Sequence, residues 1–341
     1  MKLIDQNRFD EITKNFSTIG PLLVVGDLGI DKYTYGDVAR ISPEAPVPVL
    51  EVSKEWMKLG LAANISHNLQ TLGVESILCG VIGEDQKAKD FEALLEDCGL
   101  KTWGLTRAAE RPTTFKERIT TSRQQICRVD YEDSSDISPK TGEKLLSKIA
   151  DFKNDSKAII IEDYSKGTLT ADNLPKIMAI GKEAGHLVAV DPGRKTDPLL
   201  YKGCTLLKPN LVESKLMVEY LGYTYQDKNL SETAEILLDK LDLEKIVITL
   251  GPEGMALLER NSKKGLTTIP TAALEVFDVS GAGDTIITLM TASLMAGATL
   301  EEAAWISNCG AGVVVAKSGT ATVDLIELNG FYKRMKSLLN E

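Results

Sequence analysis

Between about residues 21 and 254 the chain alternates short unbroken apolar runs with longer stretches of helical spacing. "PLLVVGD" (21–27) is the first such run, and "VESILCGVIG" (74–83) the next after the helical "AANISHNLQTLG" (62–73) with its glycine stop. The pattern recurs in "KAIIIED" (157–163), "HLVAVDP" (186–192), "CTLLKPN" (204–210) and "KIVITLGPEG" (245–254). Runs without polar alternation predict strands buried on both faces. Helical patterns then fill about 281–296 and 299–316. This order predicts an α/β fold, a doubly wound and mostly parallel sheet covered on both sides by helices. There is no internal repeat or low-complexity linker, so residues 1–341 are read as a single domain.

Two stretches break the alternation. Residues 33–56 ("YTYGDVARISPEAPVPVLEVSKEW") are rich in Pro, Val and Tyr and lack helical periodicity. Residues 112–131 ("PTTFKERITTSRQQICRVDY") alternate as a hairpin does, with "SRQQ" near the turn. Inserted after the first strand and after about the third, they are expected either to join as a small β-sheet lid or to remain two decorated surface hairpins.

Composition mainly excludes. A net charge of −10 and an isoelectric point near 5.0 argue against general binding to nucleic acid or anionic membranes, while leaving room for a local basic pocket. The five cysteines are scattered, odd in number and without a C-x-x-C pair, which fits a reducing cytoplasm better than a disulfide framework or a zinc site. Two histidines make histidine-rich metal chemistry an unfavoured expectation. The N-terminus has no signal-peptide core, and no apolar stretch is long enough to span a bilayer. A cytoplasmic protein is the expectation.

The stretch "FDVSGAGDTI" (277–286) carries the sharpest chemical signal. Gly281, Ala282, Gly283 and Asp284 stand directly before an apolar helical run, so they should form a helix N-terminus. Free N–H groups and the positive end of the helix dipole suit a phosphate there, and small residues let it approach. Asp284 could then take a proton from an attacking hydroxyl. The same residues also read as a tight turn with a helix-capping aspartate. Walker-type, dinucleotide-binding, serine-hydrolase and protein-kinase motifs are all absent. Further candidates end or follow strands, where open α/β sheets place their ligands. Asn210 and Glu213 in "KPNLVE" are spaced to organise a hydrated magnesium, or to cap a helix. Thr249, Gly251 and Gly254 form a close-approach loop or a hairpin turn, and "SNCGAG" could admit a flat base beside Asn308 or pack tightly against a helix.

Together these residues resemble the ribokinase-type (PfkB) carbohydrate kinases across almost the whole chain, most specifically in "DVSGAGDT". The resemblance implies that Asp284 is the catalytic base and that the turn Gly281, Ala282, Gly283 is the anion hole. It implies that Asn210 and Glu213 organise Mg²⁺ and its waters, and that Thr249, Gly251, Gly254 and Asn308 border ATP. It leaves a monovalent cation open. Within the family, "VVGDLGIDKYTYGDVARISPEAPVPVLEV", "RPTTFKERI", "QQICRVDYED" and "EDYSKGTLT" look like the kinases of D-glycero-D-manno-heptose 7-phosphate. Those enzymes phosphorylate the anomeric hydroxyl to the 1,7-bisphosphate, early in the route to the heptose of lipopolysaccharide. By this resemblance Asp31 and Asn64 would hydrogen-bond sugar hydroxyls. Some of Arg40, Lys116, Arg118, Arg128 and Lys166 would meet the distal phosphate. A homodimer joined through the lids is also implied. No H-x-G-H nucleotidyltransferase motif follows, so a stand-alone kinase is expected. The rivals are another sugar or sugar-phosphate kinase of the same fold, and a non-catalytic sugar- or nucleotide-binding paralogue. One residue departs from the family pattern: "LGLAANIS" has Leu61 where a second glycine usually precedes A-A-N. Leucine disfavours positive φ and adds bulk beside the sugar, which bears on the acceptor more than on the chemistry.

Overall fold

Each apolar run becomes a strand of one large sheet in the computed structural model, which describes residues 3–122, 124–225 and 229–340. Strand β1 (Leu22–Gly26) leads almost directly into a long hairpin, β2 (Leu28–Ile41) and β3 (Pro48–Leu61). The chain returns through β4 (Ser76–Ile82) and β5 (Leu105–Arg107), then makes a second hairpin, β6 (Thr114–Thr120) and β7 (Gln125–Tyr131). Next come β8 (Ala158–Glu162), β9 (Leu187–Asp191) and β10 (Leu206–Leu207), followed by β11 (Lys245–Thr249), β12 (Met255–Glu259) and β13 (Thr267–Ile269).

The large sheet has nine strands in the order β13-β12-β11-β10-β9-β8-β1-β4-β5. All pairings from β11 to β5 are parallel, and β12 and β13 add an antiparallel edge. The unbroken apolar runs follow from this topology. Leu22 and Val24 join a core with Ile287, Met290 and Ile306, while their neighbours Leu23 and Val25 join another with Leu145, Ile149 and Ile177. Successive side chains therefore enter opposite helical layers, and neither face can carry polar residues. No helix among the described residues is long and apolar enough to cross a membrane.

The two excursions form one four-stranded sheet, ordered β3-β2-β6-β7. β2 pairs antiparallel with β3 and parallel with β6, so the hairpins share a single surface rather than standing apart. The first excursion is longer than its polar boundary suggests, because β2 starts two residues after β1 ends and Leu28 pairs with Leu61. Arg123, in the expected "SRQQ" turn, lies outside the described residues.

Candidate active site

The C-terminal ends of the central strands converge on one region. Asp27, just past β1, is buried and fixes the loop after β8. Its Oδ2 accepts from the N–H groups of Tyr164 (3.0 Å) and Lys166 (3.1 Å), and its Oδ1 from that of Thr168 (3.1 Å). Three backbone donors on one carboxylate hold Tyr164 and Lys166 where the sheet ends.

The helix Ala282–Met295 begins at the glycine-rich turn as expected. Gly281 has φ +80°, and a Cβ there would come within 3.0 Å of Asn64 Nδ2, so both conformation and space call for glycine. No side chain caps this helix. The Ala282 N–H donates to the Val279 carbonyl (3.2 Å), and the Asp278 carboxylate ties the turn by accepting from the N–H groups of Ser280 and Gly319, each at 2.9 Å.

Asp284 lies in the first turn, 4% exposed. Its Oδ2 accepts from Asn64 Nδ2 (2.6 Å) and its Oδ1 from the Tyr164 hydroxyl (2.7 Å). Burial pushes this carboxyl above the usual range, while the bonds from Asn64 and Tyr164 act in the other direction. Burial, and the charge of Asp284, hold the Tyr164 phenol protonated far up the scale, so it serves as a donor.

Two cavities meet at this carboxylate. One, of about 360 Å³, is lined by Asp31, Leu61, Lys116, Arg118, Arg128, Thr320 and others, and is roofed by the small sheet. The second, of about 590 Å³, includes Glu162, Asp191, Lys208, Asn210, Glu213, Thr249 and Gly251. Tyr164, Lys166, Gly281 and Asp284 line both. A buried carboxyl thus stands between a basic recess under the small sheet and a cleft at the large sheet's strand ends.

In the smaller cavity Arg118 pairs with Asp31 Oδ1 (2.5 Å), and Thr320 Oγ1 donates to Asp31 Oδ2 (2.8 Å). Lys116 meets Glu132 (2.5 Å) and Asp130 (3.3 Å), Lys166 pairs with Glu132, and Arg128 with Asp130 (2.9 Å). Of the five basic residues singled out in the sequence, four are brought together here. Arg40 is not: it lies exposed near the far end of β2, opposite Val49. Asn64 reaches Asp284 rather than this cavity's lining.

In the larger cleft Asn210 and Glu213 form a reciprocal capping box for the helix Leu211–Tyr220. Asn210 Oδ1 accepts from Glu213 N–H (2.9 Å), and Glu213 Oε2 from Asn210 N–H (2.8 Å). Glu213 Oε1 lies 3.4 Å from Arg194 Nε. The helix-cap reading is therefore realised, and both residues also line the cleft. No three His, Cys, Asp or Glu side chains among the described residues converge to hold a metal ion directly. The donor set fits a metal whose remaining ligands are phosphate oxygens and waters. Asn308 is buried and is not among the residues lining the cleft, donating to the Pro270 carbonyl (2.7 Å) and accepting from Ala272 N–H (3.1 Å). Gly254 has φ +94°, and a Cβ would fall 2.0 Å from the Ile269 carbonyl oxygen, so it serves the β11–β12 turn.

Sequence reading passed over Tyr164, Thr320, Asp191, Lys208 and Glu162. Lys208 bonds Asp191 (2.7 Å) with both nearly buried. Burial pushes Asp191 up to about 7, against the pull of Lys208. The available signal was charge at the ends of apolar runs, in "IIIED", "VAVDP" and "TLLKPN". A charged residue that closes a buried strand stands where ligands bind.

Comparison with known proteins agrees with this geometry. The family model described as "pfkB family carbohydrate kinase" matches residues 23–327. The "Bifunctional protein HldE" of Citrifermentans bemidjiense is 40% identical over 301 residues, 88% of this chain and 61% of that protein. The protein of the same name from Wolinella succinogenes is 40% identical over 302 residues, 88% of this chain and 62% of its own length. The chain thus spans about 61% of these curated relatives. Among solved structures, Arabidopsis thaliana ribokinase complexed with ribose and ATP aligns with TM-score 0.69 and 20% identity, covering 92% of this chain and 99% of that one. Escherichia coli phosphofructokinase-2 in its tetrameric inhibited form gives TM-score 0.74 at 15% identity, with 92% and 99% covered. These structures share the fold: a large, mostly parallel sheet with a smaller one beside it. With a family match over most of its length, and its glycine-rich turn and aspartate between two cavities, the chain belongs to the pfkB family of carbohydrate kinases.

Proposed function

We propose that the protein transfers the γ-phosphoryl group of ATP to O1 of D-glycero-D-manno-heptose 7-phosphate, giving the 1,7-bisphosphate. The observation that carries this reading is Asp284 lining both cavities, with four basic side chains on the lid side. The sugar occupies the smaller cavity. Its distal phosphate takes over Lys116, Arg118, Arg128 and Lys166 from the acidic side chains that pair with all four in this structure. Arginine's planar fork suits a phosphate, and lysine adds point charge. The choice of heptose rests on the lid stretches that look like heptose 7-phosphate kinases.

The triphosphate lies in the larger cleft, beside Thr249, Gly251 and the turn at Gly281–Gly283. Asp284 takes the proton of the acceptor hydroxyl as its oxygen attacks the γ-phosphorus, and the bond to the leaving ADP oxygen breaks. N–H groups of the uncapped helix start stabilise the phosphoryl oxygens. Asn210 and Glu213 would hold the waters of Mg²⁺, which, when bound, offsets charge on the phosphates. The small sheet exposes Ile41, Val52, Met57 and Tyr131, with Val47 exposed in the β2–β3 loop, and burying them favours a homodimer through the lid. Sedimentation as a monomer at micromolar concentration would refute that assembly.

ATP consumption against heptose 7-phosphate, fructose phosphates, ribose and adenosine tests the function. Turnover should be fastest with the heptose phosphate. Preference for another sugar would replace the acceptor and keep the kinase. Binding without turnover for any acceptor would favour a non-catalytic paralogue.

A further inference from the structure

Glu162 takes no part in the chemistry above, yet it lines the floor of the larger cleft. It is the last residue of β8, 3% exposed, in register with Asp191 at the end of β9. Asp191 has Lys208 as its partner at 2.7 Å. Among the described residues nothing donates a hydrogen bond to the buried Oε2 of Glu162. A buried acceptor left unmade costs about 1–3 kcal/mol, and more when charged. An alanine or a small hydroxyl residue would avoid that cost, so a partner from outside the chain is the economical explanation.

The local charge indicates what kind of partner. Glu162, Asp191 and Asp284 lie together at the strand ends, and Lys208 is the buried cation beside them. The cleft's other basic residues are committed or outlying: Lys166 pairs with Glu132, Arg194 is exposed beside Glu213, and Lys195 is exposed. Burial and the charges of Asp191 and Asp284 push the Glu162 carboxyl well up, with Lys208 opposing. Three carboxyls thus face one buried ammonium on this floor, and a divalent cation beside them would favour their ionised forms. Among the described residues no three acidic or imidazole groups converge to hold the ion by themselves, so phosphate oxygens and waters would complete its shell. A contact through a metal-bound water fits.

We propose that Glu162 accepts a hydrogen bond from a water on the Mg²⁺ that accompanies the nucleotide, as a third protein anchor beside Asn210 and Glu213. This rests on the kinase reading above. Outer-shell partners of a metal typically change its affinity by about 10–100-fold when replaced.

The test is Mn²⁺ binding followed by electron paramagnetic resonance, with a non-hydrolysable ATP analogue and the full chain. Native protein is compared with Glu162→Gln, which keeps the shape, and Glu162→Ala. Both variants should bind Mn²⁺ about 10–100-fold more weakly in the ternary complex. Their affinity for the analogue in EDTA should be equal to or tighter than native, because a negative charge has left the cleft. Thermal unfolding without metal should show no loss of stability. Mn²⁺ affinities within about twofold of native would overturn the inference and leave the kinase reading standing. Lower melting temperatures with unchanged Mn²⁺ affinity would make Glu162 structural, again overturning it. Native protein that binds neither Mn²⁺ nor the analogue would overturn both.

Discussion

Replacing Leu61 by alanine and, separately, by glycine isolates two costs that the native residue combines. Leu61 has φ +56° and ψ −141°, a conformation suited to glycine, at the start of the helix Ala62–Thr71. Its side chain is 8% exposed and packs where Gly29 leaves room, since a Cβ on Gly29 would lie 3.1 Å from Leu61 Cδ1. A non-glycine residue held in such a region stores about 1–3 kcal/mol. Truncating a buried leucine to alanine costs about 2–5 kcal/mol, and the alanine keeps the strain. Glycine loses the same packing but sheds the strain, at the usual glycine penalty of about 1 kcal/mol relative to alanine. With a strain of about 2 kcal/mol, Leu61→Gly should be more stable than Leu61→Ala by about 1 kcal/mol, although both fall below native. Urea unfolding at equal m-values reads this directly. The ordinary order, alanine above glycine by about 1 kcal/mol, would show that position 61 is unstrained and refute the reasoning. The same variants report on the acceptor, because Leu61 lines the smaller cavity. A reshaped pocket should reorder kcat/KM across the sugar panel, whereas a looser lid hinge should shift all sugars by similar factors.

Asp284→Asn keeps the shape of the carboxylate between Asn64 and Tyr164 but removes the proton acceptor. Turnover should fall about 10²–10⁴-fold with nucleotide affinity little changed, and near-normal turnover in folded protein would remove Asp284 from its role. Glu213→Gln retains an acceptor for the Asn210 N–H while losing charge, so the Mg²⁺ needed for half-maximal activity should rise; an unchanged titration would leave Glu213 a helix cap only. Asp191, held at about 7 in the fold by burial, titrates near 4 when unfolded. Its contribution to stability is therefore full below about pH 4 and lost as pH rises through 7. Thermal scans of metal-free Asp191→Asn should show a smaller decline between about pH 5 and 8 than native protein, and parallel curves would contradict this. His67 and His186, whose pKa values burial lowers, act in the opposite direction, so the comparison between variants is the decisive one.

What could be read locally followed from short-range physics. Unbroken apolar runs marked doubly covered strands, because a parallel sheet between two helical layers has no face for polar residues. Gly281–Asp284 marked a helix start because flexible residues preceded an apolar helical run, and Asn210 with Glu213 had the spacing of a capping box. The rest depended on which strand ends the topology brings together. Asp284 meets Asn64 from 220 residues away and Tyr164 from 120, and Asp31 meets Thr320 from 289. Periodicity carries no information about such pairs. Arg40 and Arg118 look equivalent in sequence, but one lies at an exposed strand end and the other bonds Asp31. Glu162 and Asp191 each close an apolar run, yet only the placement of Lys208 gives one a partner and leaves the Oε2 of the other without a donor. Local pattern determined the elements and where the glycine turn lies; burial and long-range pairing, set by strand order, decided which charges face one another.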